Sequence, residues 1–265
     1  MDVAGKIVVV TGAANGIGKA LAERFAADGA ELVVVADLEE ENARVVAEAI
    51  GGRAFGVNVR DESQIQAMVA ELEAEYGRID LFCSNAGIIA GDGPSWMATG
   101  ADNAVWAAMW DIHVMAHVYA ARACLPGMIK RGEGYFLNTV SAAGLLNQIG
   151  DAPYSTTKHA AVGFAESLAI THGDEGIGVS MLCPQAVDTR MIKQIGDGDG
   201  GSAAVDGVLT PEQVAESVVQ GLKDGLFMIL PHEQVESYRQ HKARDYGRWI
   251  GGMRKLRRTM GTPSQ

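Results

Sequence analysis

Residues 7–18 read Ile-Val-Val-Val-Thr-Gly-Ala-Ala-Asn-Gly-Ile-Gly, an apolar β-branched run that changes into a glycine-rich turn and then a helical pattern. The run is too apolar for a strand with one wet face, which predicts a strand covered on both sides, as in a parallel sheet. Gly12, Gly16 and Gly18 allow a sharp turn, close approach of a ligand to the backbone, and packing of the helix on the strand. Because N–H groups at the start of a helix suit a diphosphate, the stretch predicts a nucleotide site. Its spacing, Gly-x-x-x-Gly-x-Gly, differs from the commoner Gly-x-Gly-x-x-Gly.

Length and composition indicate one α/β domain with a large core. The chain has 265 residues, of which 48% are apolar and 21% charged, as is ordinary for a globular protein. The net charge of −11 argues against nucleic acid or an anionic membrane surface as a partner. Cys83, Cys124 and Cys183 are isolated and predict neither a disulfide framework nor a metal site. Since neither a signal peptide nor an apolar run of membrane-spanning length is evident, we expect a cytoplasmic protein.

Apolar strand patterns alternate with helical patterns along the chain. After the first strand, the sequence predicts strands at 31–36, 53–59, 79–84, 135–140, 178–183 and 226–230, and helices at 17–28, 62–76, 103–130 and 153–172. This alternation predicts a Rossmann-type, doubly wound parallel sheet with helices on both faces and a ligand site beyond the carboxyl ends of the strands. The long 103–130 pattern has more apolar surface than one sheet covers, which indicates subunit contact.

Asp37 ends the second predicted strand, about 20 residues after Gly18, where dinucleotide folds place a carboxylate on the adenosine ribose. An acid there accepts hydrogen bonds from the ribose hydroxyls and repels a 2′-phosphate. The residues that follow are Leu38 and three glutamates, so no cation is at hand for such a phosphate. The position therefore predicts NAD rather than NADP. The alternative is that Asp37 only caps the next helix.

Tyr154 and Lys158 are one helical turn apart and share a helix face. Ser141 follows the predicted strand at 135–140 and can fold back beside that face. A phenol normally ionises near pH ~10, but an adjacent ammonium and an oxidised nicotinamide would both stabilise the phenolate. Tyr154 is therefore predicted to accept the proton, and Ser141 to hold the substrate oxygen. A Tyr-x-x-x-Lys pair alone is typical of a surface helix. Together with Ser141 and the glycine turn it indicates hydride transfer, a step that the cofactor itself performs.

In combination, Thr11-Gly12-x-x-x-Gly16-x-Gly18, Asn85-Ala86-Gly87, Ser141 and Tyr154-x-x-x-Lys158 resemble the short-chain dehydrogenase/reductase family, over about residues 5–230. The resemblance implies a seven-stranded parallel sheet, hydride transfer between NAD and an alcohol or ketone, no metal, and a homotetramer or homodimer. Motifs and resemblance together predict a set of cofactor-binding residues: Gly12, Asn15, Gly16, Ile17, Gly18, Asp37, Leu38, Asn58, Val59, Asn85, Ala86, Gly87, Tyr154, Lys158, Pro184, Val187 and Thr189.

Four positions depart from the family's pattern. His113 replaces the usual Asn, which helps to shape a water relay from the catalytic lysine to solvent. The backbone carbonyl of His113 can keep this relay, or its imidazole can pass the proton itself. The alternative is that His113 packs in the helix with no role in proton transfer. Asn58 replaces an Asp at the adenine edge, and Ser84 replaces an Asn, both mild changes. Gln185 replaces a Gly, so a positive φ there would cost on the order of 1 kcal/mol, and its amide can touch the substrate.

The substrate pocket, located by family position, is mostly apolar. This favours a hydrophobic secondary alcohol, either alicyclic, aryl or steroid-like, over a sugar or a small hydroxy acid. A Gly/Asp-rich segment within 190–208 is interpreted as a lid over the pocket, the alternative being an inert surface loop. Further lining candidates are Ile88, Ile89, Trp96, Leu145 and Ile149. The predicted substrate-binding residues are Ala142, Leu146, Gln148, Gln185, Met191, Ile192 and Ile195.

The tail at about 232–265 is predicted to be helical, and it is basic in an acidic chain. Eight of the 22 basic residues lie between Arg239 and Arg258. They can bind the phosphates of a CoA thioester, dock on a neighbouring subunit, or form a solvated helix. We therefore expect an NAD-dependent alcohol dehydrogenase or ketone reductase. The alternatives are a 3-hydroxyacyl-CoA-type dehydrogenase and a non-catalytic NAD-binding sensor or scaffold.

Overall fold

The apolar run at the start of the chain forms β1 (Ile7–Thr11), in the interior of a parallel sheet of seven strands. The structure, a computed structural model, describes residues 1–93, 97–194 and 201–260. Its strand order is β3-β2-β1-β4-β5-β6-β7, so the order reverses between β1 and β4, and a ligand crevice is expected beyond their carboxyl ends. The other strands are β2 (Leu32–Asp37), β3 (Arg53–Gly56), β4 (Leu81–Ser84), β5 (Gly134–Thr139), β6 (Ile177–Leu182) and β7 (Met228–Ile229).

Helices cover both faces of the sheet, because β1 buries both of its faces. Val8 and Val10 belong to the core cluster under α1, α2 and α7, whereas Val9 belongs to the cluster under α3, α5 and α6. The Rossmann-type fold predicted from the sequence is confirmed. The helices within the described ranges are α1 (Gly16–Ala27), α2 (Glu40–Ile50), α3 (Glu62–Tyr76), α4 (Asn103–Trp110), α5 (Ala116–Arg131), α6 (Ala152–His172), α7 (Pro211–Lys223), α8 (Gln234–Arg244) and α9 (Tyr246–Thr259).

Some element boundaries differ from the prediction. The long helix predicted at 103–130 is divided by a π-helical turn, Asp111–Met115, which separates α4 from α5. Such turns insert an extra residue and re-aim the side chains they carry. The third strand ends at Gly56 rather than at residue 59, since β3 is an edge strand that pairs only with β2. Helix α7 was not predicted, although Thr210 and Gln213 form a capping box at its start and Pro211 follows the cap.

The C-terminal tail forms α8 and α9, which pack beside the loop that follows β5. Val235 of α8 is fully buried against Ala142 and Leu146, and Trp249 of α9 packs on the same cluster. The Lys242 Nζ donates to the Leu145 carbonyl oxygen at 2.6 Å. These contacts place the tail beside the carboxyl edge of the sheet. None of the helices within the described ranges is long and apolar enough to cross a lipid bilayer.

Candidate active site

The glycine turn lies between β1 and α1 at the carboxyl edge of the sheet. Gly12 and Gly16 have φ angles of 64° and 54°, in the left-handed region that favours glycine. At Gly18 a Cβ atom would lie 2.2 Å from the Gly12 carbonyl oxygen, so a side chain there would keep α1 from starting this close to the turn. The first turn of α1 contains no acidic residue. The turn therefore leaves a helix N-terminus open to an anion, as a bound diphosphate requires.

Asp37 lies at the end of β2 and faces the glycine turn. Its Oδ2 accepts from the Ala14 N–H at 2.9 Å and its Oδ1 from the Glu39 N–H at 3.0 Å. The N-cap of α2 is Glu39, so Asp37 does not occupy the capping position that the alternative interpretation gave it. Each carboxylate oxygen can still accept a second hydrogen bond. Asp37 thus holds the turn and still has acceptor capacity for hydroxyl groups.

Asn85 joins the carboxyl ends of three strands. Its Nδ2 donates to the Thr11 carbonyl oxygen at 3.0 Å, and its Oδ1 accepts from the Thr139 Oγ1 at 3.1 Å. The Asn85 N–H donates to the Thr11 Oγ1 at 3.0 Å. Both ends of the amide are therefore engaged within the protein. The residue stiffens the edge of the sheet where β1, β4 and β5 end.

A single cleft of about 1350 Å³ runs from the glycine turn and Asp37, past Tyr154, to α9. The predicted cofactor-binding residues line it except Gly18, which is packed under the turn. The predicted substrate-binding residues also line it, apart from Ile195, which lies outside the described residues, as does Trp96. Ile88 and Ile89 line the cleft, but Leu145 and Ile149 do not; Leu145 packs instead toward the core and α8.

Ser141, Tyr154 and Lys158 meet in the wall of this cleft. Asp151 caps α6 and its Oδ1 accepts from the Tyr154 N–H at 2.9 Å, which places the tyrosine in the first turn. The Lys158 Nζ lies 5.6 Å from the centre of the Tyr154 ring and donates to the Thr139 carbonyl oxygen at 3.0 Å. Ser141 lines the same cleft, and its hydroxyl acts to lower the pKa of Tyr154. The three side chains that the sequence placed on different elements are neighbours.

Comparison with known proteins identifies the family of the chain. A family model described as short chain dehydrogenase matches residues 6–200. The chain belongs to the short-chain dehydrogenase/reductase family. The sequence resemblance to that family is thus confirmed over about three quarters of its length.

Relatives of this chain include proteins that are 29–36% identical over the matched regions. The meso-2,3-butanediol dehydrogenase of Serratia marcescens is 35% identical over 218 residues, which cover 79% of this chain and 84% of the relative. The 2,5-dichloro-2,5-cyclohexadiene-1,4-diol dehydrogenase of Sphingobium indicum is 36% identical, over 76% of this chain and 80% of the relative. The 3-oxoacyl-[acyl-carrier-protein] reductase of Escherichia coli is 29% identical, over 74% and 80%.

A solved structure of the same family has the same overall fold. It is a short-chain dehydrogenase/reductase from Burkholderia phymatum in complex with NAD, with a TM-score of 0.83 and 26% sequence identity. The match covers 93% of this chain and 95% of the other. The fold of this short-chain dehydrogenase is therefore one that holds NAD in another family member.

Burial controls the ionisation of Tyr154 and Lys158. It raises the pKa of Tyr154 to about 12, against a smaller lowering by the Ser141 hydroxyl. It lowers the pKa of Lys158 to about 7. Both shifts arise because desolvation disfavours the charged form of each group. In this structure burial thus outweighs the lowering of the Tyr154 pKa that was expected from the Tyr-Lys pair.

His113 lies in the π-helical turn behind Tyr154 and is completely buried. Its Nε2 accepts from the Ile88 N–H at 3.1 Å, and its Nδ1 lies 2.9 Å from the Thr157 Oγ1. Since Nε2 accepts, the neutral ring is assigned its proton on Nδ1, which donates to Thr157. Burial, with a smaller contribution from the Lys158 charge, lowers its pKa well below the ordinary value. Both ring nitrogens are occupied, which favours packing and positioning over passage of a proton by the imidazole.

Gln185 lies in the cleft wall without the strain considered from its sequence position. Among the described residues Asn147, with a φ of 108°, is the non-glycine residue in the left-handed region, and Gln185 is outside that region. The Gln185 N–H donates to the His232 Nδ1 at 3.2 Å. Its Oε1 is buried and has no hydrogen-bond partner within the described residues. The side chain therefore keeps an unused acceptor beside the cleft.

Sequence reasoning missed a buried polar group beside Lys158. Ser84 and Asn138 are register partners on β4 and β5, and His117 lies one helical turn after the His113 turn. Four buried polar atoms make no well-formed hydrogen bond with the residues described: the Ser84 Oγ, the Asn138 Nδ2 and both His117 ring nitrogens. Burial, then the Lys158 charge, lower the pKa of His117 to about 3. The signal of this group in the sequence is the four-residue spacing of His113 and His117 within an apolar helical pattern, which places both on one face of a helix.

Proposed function

We propose that this protein is an NAD-dependent oxidoreductase that interconverts a hydrophobic secondary alcohol and its ketone. The observation that carries the proposal is the meeting of Ser141, Tyr154 and Lys158 in a cleft whose other end is the glycine turn and Asp37. Two relatives whose names are those of diol dehydrogenases, each about a third identical, support the same reaction class.

Each residue of the cleft has a separate role toward the reacting hydroxyl of the substrate. Ser141 donates a hydrogen bond to the substrate oxygen, and the Tyr154 Oη takes the hydroxyl proton in oxidation or returns it in reduction. Lys158, held by the Thr139 carbonyl oxygen, places an ammonium beside the developing phenolate. Bound NAD supplies the hydride acceptor and the positive charge that the buried phenol lacks. General acid–base catalysis of this kind contributes about 10²- to 10⁴-fold to the rate.

The preference for NAD over NADP is assigned to Asp37. Its carboxylate faces the turn where the adenosine ribose is expected, and Leu38 and Glu39 follow it in the cleft wall. Two arginines in the cleft wall are each partly neutralised by an acid: Arg190 lies 3.7 Å from Glu39, and Arg60 lies 3.0 Å from Asp111. A 2′-phosphate would therefore meet negative charge.

The substrate class is inferred from the wall beyond Tyr154. Ala142, Leu146, Met191 and Ile192 give it an apolar surface, which suits an alicyclic, aryl or steroid-like carbon skeleton. Gln185 and Gln148 are the polar groups among the predicted substrate-binding residues. The segment 190–208 is proposed to close over the substrate; its described part reaches the cleft through Ser202, whose Oγ accepts from the Gln148 Nε2 at 3.2 Å.

A homo-oligomer, either a tetramer or a dimer, is proposed from the outer face of α5 and α6. A groove there is lined by apolar side chains, among them Val118, Leu125, Phe164 and Leu168. Ile170 on α6 is 84% exposed, as would be expected of a side chain that another subunit covers. The three cysteines are unpaired and buried, which supports a reducing compartment such as the cytoplasm.

The test is turnover of NAD with a panel of hydrophobic secondary alcohols, followed by the absorbance of the reduced nicotinamide. We expect Tyr154→Phe to lose at least roughly 10²-fold in kcat while it still binds NAD, as measured by quenching of protein fluorescence. Tyr119→Phe, a tyrosine outside the cleft, is the matched control and should keep its activity. Tight NAD binding without turnover on a broad panel would instead support the non-catalytic sensor or scaffold.

A further inference from the structure

The C-terminal helices carry a concentration of positive charge to the substrate end of the cleft. Between Gln234 and Thr259 there are eight Lys and Arg residues against Glu236 and Asp245, in a chain with a net charge of −11. Arg244 and Arg248 line the cleft. The basic segment noted in the sequence is therefore part of the cleft wall.

The position of these helices identifies which end of the cleft they border. Trp249 of α9 packs on the cluster of Ala142, Leu146 and Val235, beside the loop that carries Ser141. The Tyr238 Oη of α8 donates to Asp206 at 2.9 Å. These are neighbours of the predicted substrate wall, whereas the glycine turn and Asp37 form the opposite end of the cleft.

The charges of Arg244 and Arg248 are not neutralised by the protein. In the part of the chain that the structure describes, neither side chain makes an ion pair or a hydrogen bond, whereas Arg239 pairs with Glu236 at 2.8 Å. The carboxylate beside them, Asp245, caps α9 by accepting from the Arg248 N–H at 2.8 Å. Arg244 and Arg248, both exposed, thus line the cleft together with the single carboxylate of Asp245.

The side chains of α9 differ between the face toward the cleft and the rest of the helix, which a fully solvated surface helix would not show. Trp249, Met253 and Leu256 are partly buried and line the cleft from one face of α9. Arg254 and Lys255 lie on the same helix but not in the cleft wall, and they are exposed. The cleft side of the helix therefore combines an apolar surface with the arginine at its start.

We infer that the cleft accepts a substrate with an anionic group, carboxylate or phosphate, at the end remote from the reacting carbon, and that Arg244 and Arg248 bind it. The inference rests on the proposed function, since it places the reacting carbon at Tyr154. The planar guanidinium group matches both anions through paired N–H donors. The apolar face of α9 covers the uncharged middle of such a substrate. Positive charge at a cleft mouth also raises the association rate of an anion.

The test compares anionic ketones with uncharged counterparts, in reduction by NADH. One pair is 9-oxodecanoate and its methyl ester, which tests a carboxylate. The other is acetoacetyl-CoA and the neutral acetoacetyl thioester of N-acetylcysteamine, which tests phosphates. The variant is Arg244→Gln with Arg248→Gln. The matched control is Arg254→Gln with Lys255→Gln, which also removes two positive charges from the C-terminal helices but outside the cleft wall.

We expect the wild type to prefer the anionic member of at least one pair, and the pair that shows it identifies the anion. In the Arg244/Arg248 double variant the ratio of kcat/KM for the anionic to the neutral member should fall roughly five- to tenfold, through KM. The control variant should keep the ratio of the wild type. In the wild type the preference should weaken as NaCl is raised.

Three results overturn the inference. The first is equal use of both members of each pair by the wild type. The second is a double variant that loses activity equally on the anionic and neutral members, which would mean that the arginines serve only the packing of α9. The third is an equal change of the ratio in the control variant. If the wild type reduces none of the four ketones, the inference fails, whereas the proposed function is decided by the panel of secondary alcohols.

Discussion

The His113 Nδ1 lies 2.9 Å from the Thr157 Oγ1, and this contact joins the π-helical turn to the first turns of α6. Thr157 in turn donates to the Pro153 carbonyl oxygen at 2.8 Å, next to Tyr154. On its other side the imidazole accepts from the Ile88 N–H in the cleft wall. One buried ring therefore contacts both the helix that carries Tyr154 and the loop at Ile88, which lines the cleft.

Replacement of His113 by Phe should lower kcat roughly tenfold or more, because two buried hydrogen bonds of about 1 kcal/mol each are lost. The pH dependence of kcat should keep its shape, since a ring with both nitrogens occupied does not carry the transferred proton. Thr157→Val should lower kcat by a similar factor. The double variant of His113 and Thr157 should lower kcat little further, because both residues act through one contact. A changed pH profile in His113→Phe would show that the imidazole takes part in proton transfer.

Replacement of Asp37 by Ala should relax the cofactor preference. The ratio of kcat/KM with NAD to that with NADP should fall roughly tenfold or more, because a carboxylate that repels a 2′-phosphate is removed. Asp37→Asn, which keeps one acceptor oxygen toward the Ala14 N–H, should retain more of the stability and still shift the ratio. Exposed Asp174→Ala is the control for a general loss of charge. An unchanged ratio in Asp37→Ala would refute the role given to this residue.

Acid should destabilise the protein through its buried histidines. The pKa of His117 is lowered to about 3, chiefly by burial, whereas an unfolded histidine titrates near ~6.5. Between these values the unfolded chain binds a proton that the native state does not. The contribution is therefore fully present above pH ~6.5 and is lost as the pH falls toward 3, about 2 kcal/mol by pH ~5. Urea unfolding at several pH values should show a shallower dependence in His117→Gln than in the wild type; parallel curves would contradict the assignment.

Two substitutions to glycine should change stability in opposite directions. Asn147 has a φ of 108°, so Asn147→Gly should stabilise by up to about 1 kcal/mol through relief of strain. Gln185 has no such φ, so Gln185→Gly should cost about 0.5–1 kcal/mol through added freedom of the unfolded chain. Thermal unfolding of the two variants measures both signs. If Gln185→Gly is the stabilising change, the backbone at Gln185 is strained after all.

Local patterns in the sequence were sufficient for the fold and for much of the candidate site. The β-branched run of β1 predicts a strand buried on both faces, and the glycine turn after it predicts the open N-terminus of α1. The spacing of Tyr154 and Lys158 places both on one face of α6. These features depend on neighbours within one or two turns of the chain, where the period of a helix or strand decides which side chains share a face.

Only the tertiary structure decided the ionisation of Tyr154, the partners of His113 and the place of Arg244 and Arg248. His113 bonds to Thr157, 44 residues away, and Arg248 lines a cleft with Ser141. Desolvation and hydrogen bonding act through space, so they depend on groups that the fold brings together from distant parts of the chain. The sequence alone therefore determined which side chains each helix and strand carries. Packing determined the hydrogen-bond partners of these side chains and the pKa of the buried ones.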